Sequence, residues 1–154
     1  MKNVIFPIVI FMALILTGCV SPKFSGDPLP VEVLAQNPKV LVINDKETRD
    51  GFQSAIEGWM DTNKINYVVK QEGVEHNPEE LTIEYVGYWN WDLALFLSRA
   101  EIEAFYKGQR VSKVSYEAPS TLHTGKFGDA AERINLMLEI MFGKLSLADA
   151  SKKL

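Results

Sequence analysis

The chain has one cysteine, Cys19, and two histidines, His76 and His123, in 154 residues. A single thiol excludes an intramolecular disulfide, so the fold rests on an apolar core whatever its compartment. With His76 and His123 in separate loops, and no HExxH, CxxC or EF-hand spacing, the usual metal-binding arrangements are missing as well. There is no G-x-S-x-G turn. Ser120 stands near His123 without an orienting acid, so neither a serine nor a cysteine hydrolase is indicated. Positive charge is also scarce. Lys and Arg number 16 against 20 Asp and Glu, a net −4, and loss of residues 1–18 would remove Lys2 and make it −5. That balance argues against nucleic acid as a partner. No internal repeat, low-complexity tract or cofactor-binding signature is visible.

What is present begins at the N-terminus. MKNVIFPIVIFMALILTGCV sets one Lys before an apolar run from Val4 to Leu16, followed by small residues, the layout of a secretory signal. The run is about 13 residues, whereas a spanning helix needs ~20, and Pro7 interrupts it. Leu16-Thr17-Gly18-Cys19 resembles the lipobox of bacterial lipoproteins. That resemblance implies cleavage between Gly18 and Cys19, a diacylglyceryl group on the Cys19 thiol, an acylated new amino terminus, and attachment to a membrane by lipid. Val20 and Ser21 after the cysteine, with no Asp there, imply the periplasmic face of the outer membrane by the sorting rule of such lipoproteins. Residues 1–18 are thus expected to be a signal peptide. Residues 19–38, with Pro22, Pro28, Pro30 and Pro38, read as the lipidated cysteine and an extended tether.

Residues 39–143 suit a single domain and 144–154 a C-terminal tail. The run from Lys39 to Ile43 reads as a strand. Phe52, Ile56, Trp59 and Met60 recur at helical spacing after it, with Asn44, Asp45 or Thr48 available as caps. INYVVK reads as strand again. From Leu81 the pattern has period two, although DLALFLSRAEIEAFYKG would equally make an amphipathic helix on propensity alone. Register favours strands. A three-residue loop at Lys107-Gly108-Gln109 puts Ile102 opposite Val114, Ala100 opposite Tyr116, Glu103 opposite Lys113 and Arg99 opposite Glu117. A turn at Trp91-Asp92, or at those two with Asn90 and Leu93, puts Trp89 opposite Ala94, Ile83 opposite Ala100 and Glu84 opposite Arg99. Asp129 and Glu132 resemble a capping box for a last helix that buries Ile134, Met137, Leu138 and Met141, with Gly143 as its stop. The expected architecture is α+β: a two-layer sandwich in the order β-α-β-β-β-α, its sheet mixed and both helices on one face.

Candidate sites follow from that register. Glu101 and Glu103 share a strand face, but charge pairing accounts for them better than a glycosidase pair. Gly125-Lys126-Phe127-Gly128 leads into a helix N-terminus that could receive an anion, except that Asp129 already caps it. In YVGYWNWDLALF, Tyr85 and Trp89 fall on the core side. Val86 and Tyr88, opposite Leu97 and Leu95, form an apolar cluster on the sheet face the helices leave open, and Trp91 and Asp92 occupy the hairpin tip. Such a patch marks a contact. Its occupant is either the chain itself, through Val31, Val33 and Leu34 or the C-terminal tail, or a protein or membrane surface, or a small ligand.

The segments LTGC, RDGFQSAIEGWM, YWNWDLALFLSRAEIEAFYKG and KFGDAAERI resemble a family of small, functionally uncharacterised bacterial lipoproteins. The element order is similar to lipoproteins that assist outer-membrane assembly or transport machines, an analogy of fold alone. The resulting expectation is a lipid-anchored periplasmic binding or accessory protein of the cell envelope, not an enzyme, with an envelope protein as partner. The alternative is a small-ligand binder or envelope enzyme with a pocket joining Trp91 and Asp92 to His123.

Overall fold

The computed structural model describes residues 24–75, 77–119 and 124–154. Cys19, Gly18, Ser120, His76 and His123 lie outside the described residues. Strands β1 (Phe24–Asp27), β2 (Val40–Asn44), β3 (Tyr67–Gln71), β4 (Leu81–Asp92), β5 (Ala94–Tyr106) and β6 (Gln109–Glu117) form one sheet in the order β1-β6-β5-β4-β2-β3. Its helices are α1 (Val31–Ala35), α2 (Asp50–Thr62), α3 (Ala130–Met141) and α4 (Leu147–Lys152), and a 3-10 turn spans Thr124–Phe127. The class is α+β, as expected, with β2 parallel to β3 and β4 and the other pairs antiparallel. The four strands read after the first helix all form, one more than the order β-α-β-β-β-α counts, and β1 and α1 precede the expected first strand.

Period-two alternation decides the core. Ile83 and Tyr85 on β4, Ala100, Ile102 and Ala104 on β5, and Val114 and Tyr116 on β6 are buried on one face of the sheet. Against them lie Phe52, Ile56 and Met60 of α2 and Ile134, Met137, Leu138 and Met141 of α3, the stripes that helical spacing selects. Phe52 stacks on Tyr85 with ring centroids 4.8 Å apart. The Trp59 indole N–H donates to Glu139 Oε1 at 2.8 Å and ties α2 to α3. Asp129 caps α3, accepting from the Ala131 amide at 2.9 Å. α2 starts differently: Arg49 is its cap residue and makes no side-chain cap bond. Thr48 donates to Asp45 instead, at 2.6 Å, and its buried hydroxyl accepts from the Gly87 amide at 3.0 Å, joining the helix entrance to β4.

The two hairpin registers fare differently. All four expected β5–β6 pairs occur. The turn is shorter than expected, however. Tyr106 pairs with Gln109 around Lys107 and Gly108, both at positive φ, and a bulge at Val111 restores the register that a three-residue loop would give. The expected β4–β5 register is wrong by four residues before the bulge, where Ile83 faces Ala104, Glu84 faces Glu103 and Tyr88 faces Arg99, and by three beyond it, where Trp89 faces Leu97. Its turn is centred on Leu93 at φ +63°, and the chain then bulges at Ser98. A bulge reverses the parity that alternation imposes, so an odd turn became compatible with a continuous core face.

Residues 24–38 are not an extended tether. β1 pairs with the β6 edge, Phe24 opposite Tyr116 and Asp27 opposite Lys113. Phe24, Leu29 and Val33 are buried, and the Leu29 amide donates to the Met141 carbonyl at 2.7 Å. The prolines turn the chain between β1 and α1 while these three side chains supply the apolar surface that holds it. Residues 144–154 likewise belong to the domain: Ser146 caps α4, and Ala150 is fully buried.

Two predictions follow from this packing. A Cβ on Gly26, at φ +128°, would lie 1.9 Å from the Lys113 carbonyl oxygen, so Gly26→Ala should cost about 1–3 kcal/mol. Urea denaturation should show it as a lower midpoint at unchanged slope, whereas a loose tether would leave the midpoint where it was. Burial pushes the Tyr85 hydroxyl from 10.0 up to about 12. The folded state therefore holds that proton more tightly than the unfolded chain does, and stability should be intact below pH 10 and decline between pH 10 and 12. In Tyr85→Phe that part of the decline should disappear from a pH series of denaturation curves.

Candidate functional site

β4 and β5 outrun the rest of the sheet. Phe24, Tyr116, Ala100 and Gly87 lie in one cross-strand row. β6 stops at Glu117, one residue past that row, and β2 stops at Asn44, while β4 continues to Asp92. Beyond Gly87 the hairpin carries Tyr88, Trp91, Leu93 and Leu95, all exposed, Leu93 to 82% and Trp91 to 70%. An isolated two-stranded ribbon is marginal in water, so such an overhang needs support from the side.

The segment before α3 supplies it. Lys126, 5% exposed, reaches back from the 3-10 turn, and its ammonium pairs with the Asp92 carboxylate. The Lys126 Nζ lies 5.3 Å from the Phe96 ring centroid and 5.1 Å from that of Phe127. The two rings meet edge to face at 5.7 Å. A cation between two aromatic rings, with a carboxylate closing one side, is a stabilised arrangement in a low-dielectric setting. Behind it Arg133, buried, donates from Nε to the Tyr116 hydroxyl at 2.8 Å and from Nη1 to the Asp129 carbonyl at 2.8 Å. The start of α3 is thereby fixed to the sheet, and the 3-10 turn to the hairpin. Lys126 is consumed in this contact, and the glycine-flanked loop expected to offer it to an anion serves the hairpin instead. Nothing in the local spacing pointed to Asp92, 34 residues away in sequence.

The expected apolar cluster of Val86, Tyr88, Leu95 and Leu97 does not form, because the bulge at Ser98 reassigns its members. Leu97 is 1% exposed and belongs to the core, paired with Trp89. Val86 is half-buried opposite Glu101. The ring of Tyr88 lies beneath the Arg99 guanidinium, 5.9 Å from its centroid. Leu95 sits opposite Trp91 near the tip. Among the described residues, neither α1 nor the C-terminal segment covers these side chains: Val33 enters the core, Val31 is exposed, and α4 packs on β1 and α3.

The open face of the sheet is a charged mosaic. Lys113 bridges Glu101 at 2.7 Å and Glu103 at 3.0 Å, Arg110 contacts Glu103 at 2.9 Å, and Arg99 pairs with Glu101. Hydrogen bonds from Lys113 first, then Arg99, hold the Glu101 carboxyl below its ordinary range, and Glu101 with Glu103 raises Lys113 in return. These carboxylates are charge-paired, as the strand register implied, though Arg99 turns to Glu101 rather than Glu117. A depression of about 210 Å³ is lined by Glu84, Tyr85, Val86, Glu101 and Glu103, and a second of about 190 Å³ by Ile43, Asp45, Glu72, Val74 and Glu84 among others. Trp91 and Asp92 line neither. Among the described residues, no three His, Cys, Asp or Glu side chains gather as metal ligands. No helix of the described residues is long and apolar enough to cross a membrane.

No family model matches the chain, and no curated protein does. Among solved structures it is similar to a minor lipoprotein from Acinetobacter baumannii, with 12% identity and a TM-score of 0.36, over 68% of this chain and 90% of that one. A likeness of that degree carries no argument.

The ion pair makes an asymmetric prediction. Asp92→Asn leaves a buried ammonium without its counter-charge, whereas Lys126→Met leaves a carboxylate that is 44% exposed and able to take up water. Asp92→Asn should therefore be the more destabilising of the two, by about 1–3 kcal/mol in chemical denaturation. Equal losses would mean that Lys126 reaches solvent.

Proposed function

We propose that this protein is a lipid-anchored envelope lipoprotein that works by binding, as an accessory to another envelope protein, and not by catalysis. The observation that carries the reading is Leu16-Thr17-Gly18-Cys19, whose cysteine stands five residues before Phe24, the first residue of β1. Cleavage before Cys19 and acylation of its thiol would leave the domain tethered at a membrane surface. Val20 and Ser21 favour the outer membrane, with the domain in the periplasm.

Binding is favoured over catalysis by what the polar side chains are doing. Asp92, the acid at the hairpin end, is engaged by Lys126, and Glu101 and Glu103 by Lys113, Arg99 and Arg110. The sheet face that the helices leave open offers a partner a shallow, mixed-charge surface of the kind that fixes orientation and register more than affinity. The test begins at the anchor. Cys19→Ser should leave an uncleaved precursor that takes up no radiolabelled palmitate, and continued labelling of that variant would refute the anchoring site. Crosslinking of the lipidated protein in intact envelopes should then capture an envelope protein through the open sheet face.

A further inference from the structure

The anchor proposed above sits very close to the fold. Cys19 is five residues before Phe24, so it lies at most about 17 Å from the Phe24 backbone even when fully extended. Going back from Asp27 to Phe24 on β1 runs alongside Lys113 to Tyr116 on β6, Glu103 to Ala100 on β5 and Glu84 to Gly87 on β4. The N-terminal end of β1 thus lies at the end of the sheet from which the β4–β5 hairpin projects. From the row of Phe24 and Gly87 to Leu93 is six residues of strand, or about 20 Å. Phe24 thus stands at the hairpin's end of the sheet, and the longest reach from it to Cys19, about 17 Å, is comparable with the rise of about 20 Å from the same row to Leu93.

The tip itself is poorly suited to water. Leu93 is 82% exposed and held at φ +63°, where an asparagine or glycine would be more comfortable and no less soluble. Trp91, 70% exposed, and Leu95 pair across the strands just below it. The acid at the tip, Asp92, has its charge matched by Lys126. At the base of the overhang stand Tyr88 under Arg99 and Trp89 within 6.0 Å of the Arg49 guanidinium. Apolar residues at the end, aromatic rings below them and Arg49 at the base, Arg99 being held by Glu101, follow the order in which a bilayer presents hydrocarbon, interface and phosphate. Resting on the anchor reading, we infer that the hairpin tip, Trp91, Leu93 and Leu95, inserts into the outer part of the same bilayer that holds the lipid on Cys19. It would serve as a second foot that fixes the orientation of the domain.

The lipidated full-length protein, reconstituted in vesicles of phosphatidylethanolamine and phosphatidylglycerol with brominated acyl chains, tests this. The part of the tryptophan emission that Trp91→Phe removes should be quenched, and Leu93→Asn, which suits the backbone at that position, should relieve the quenching without lowering the urea midpoint. Mass spectrometry of the N-terminal peptide reports the anchor separately. Lipid on Cys19 together with an unquenched Trp91 would overturn the hairpin inference and leave the anchor standing. An unmodified Cys19 would overturn both. A photocrosslinker at position 93 that captured a protein rather than phospholipid in native envelopes would also overturn the inference, and assign the tip to a partner.

Discussion

The seating of Phe24 on the β6 edge is the constraint from which the rest of the arrangement follows. Its ring lies 5.4 Å from that of Tyr116, it is 1% exposed, and the four residues of β1 are hydrogen-bonded in register against β6. Had the chain stayed loose to Pro38, a lipid on Cys19 would hold the domain on a long leash with no preferred attitude. With β1 in the sheet, a lipid on Cys19, as proposed, would be only five residues from Phe24, a short leash. The same pairing puts Phe24 at the end of the sheet that carries the hairpin.

The hairpin in turn depends on two devices that act against simple alternation. The Ser98 bulge lets Leu97 return to the core after an odd turn, and the Ser98 hydroxyl donates to the Tyr88 carbonyl at 2.9 Å across it. The pair of Lys126 with Asp92, enclosed by Phe96 and Phe127, braces the overhang against the segment leading into α3. Together they hold out a ribbon that buries little of its own surface.

Much of the fold was legible because most of it obeys the periods of two and 3.6. Ile83, Ala100, Ile102 and Val114 declare one sheet face by alternation, and Phe52, Ile56, Ile134 and Met137 declare the helical stripes. The β5–β6 register could be read from paired charges and paired core residues at once. Three things could not be. A bulge leaves no mark in composition, so simple alternation puts Val86, Tyr88, Leu95 and Leu97 on one face, whereas the bulge at Ser98 turns Leu95 and Leu97 to the other. The long-range contacts of Lys126 and Arg133 have no signature in local spacing. Prolines in residues 20–38 suggested extension, while the apolar side chains Phe24, Leu29 and Val33 between them decided the outcome.

The central claim is that the domain stands at the membrane with the hairpin down and the opposite turn, Lys107-Gly108, up. Lipidation would occupy the only native thiol, so a spin label could be placed alone at position 93 or at position 107 of the lipidated protein. On vesicles, the label at 93 should be relaxed by oxygen dissolved in the bilayer and shielded from a water-soluble nickel chelate, and the label at 107 should show the reverse. Equal exposure of both positions to the aqueous chelate would contradict the account.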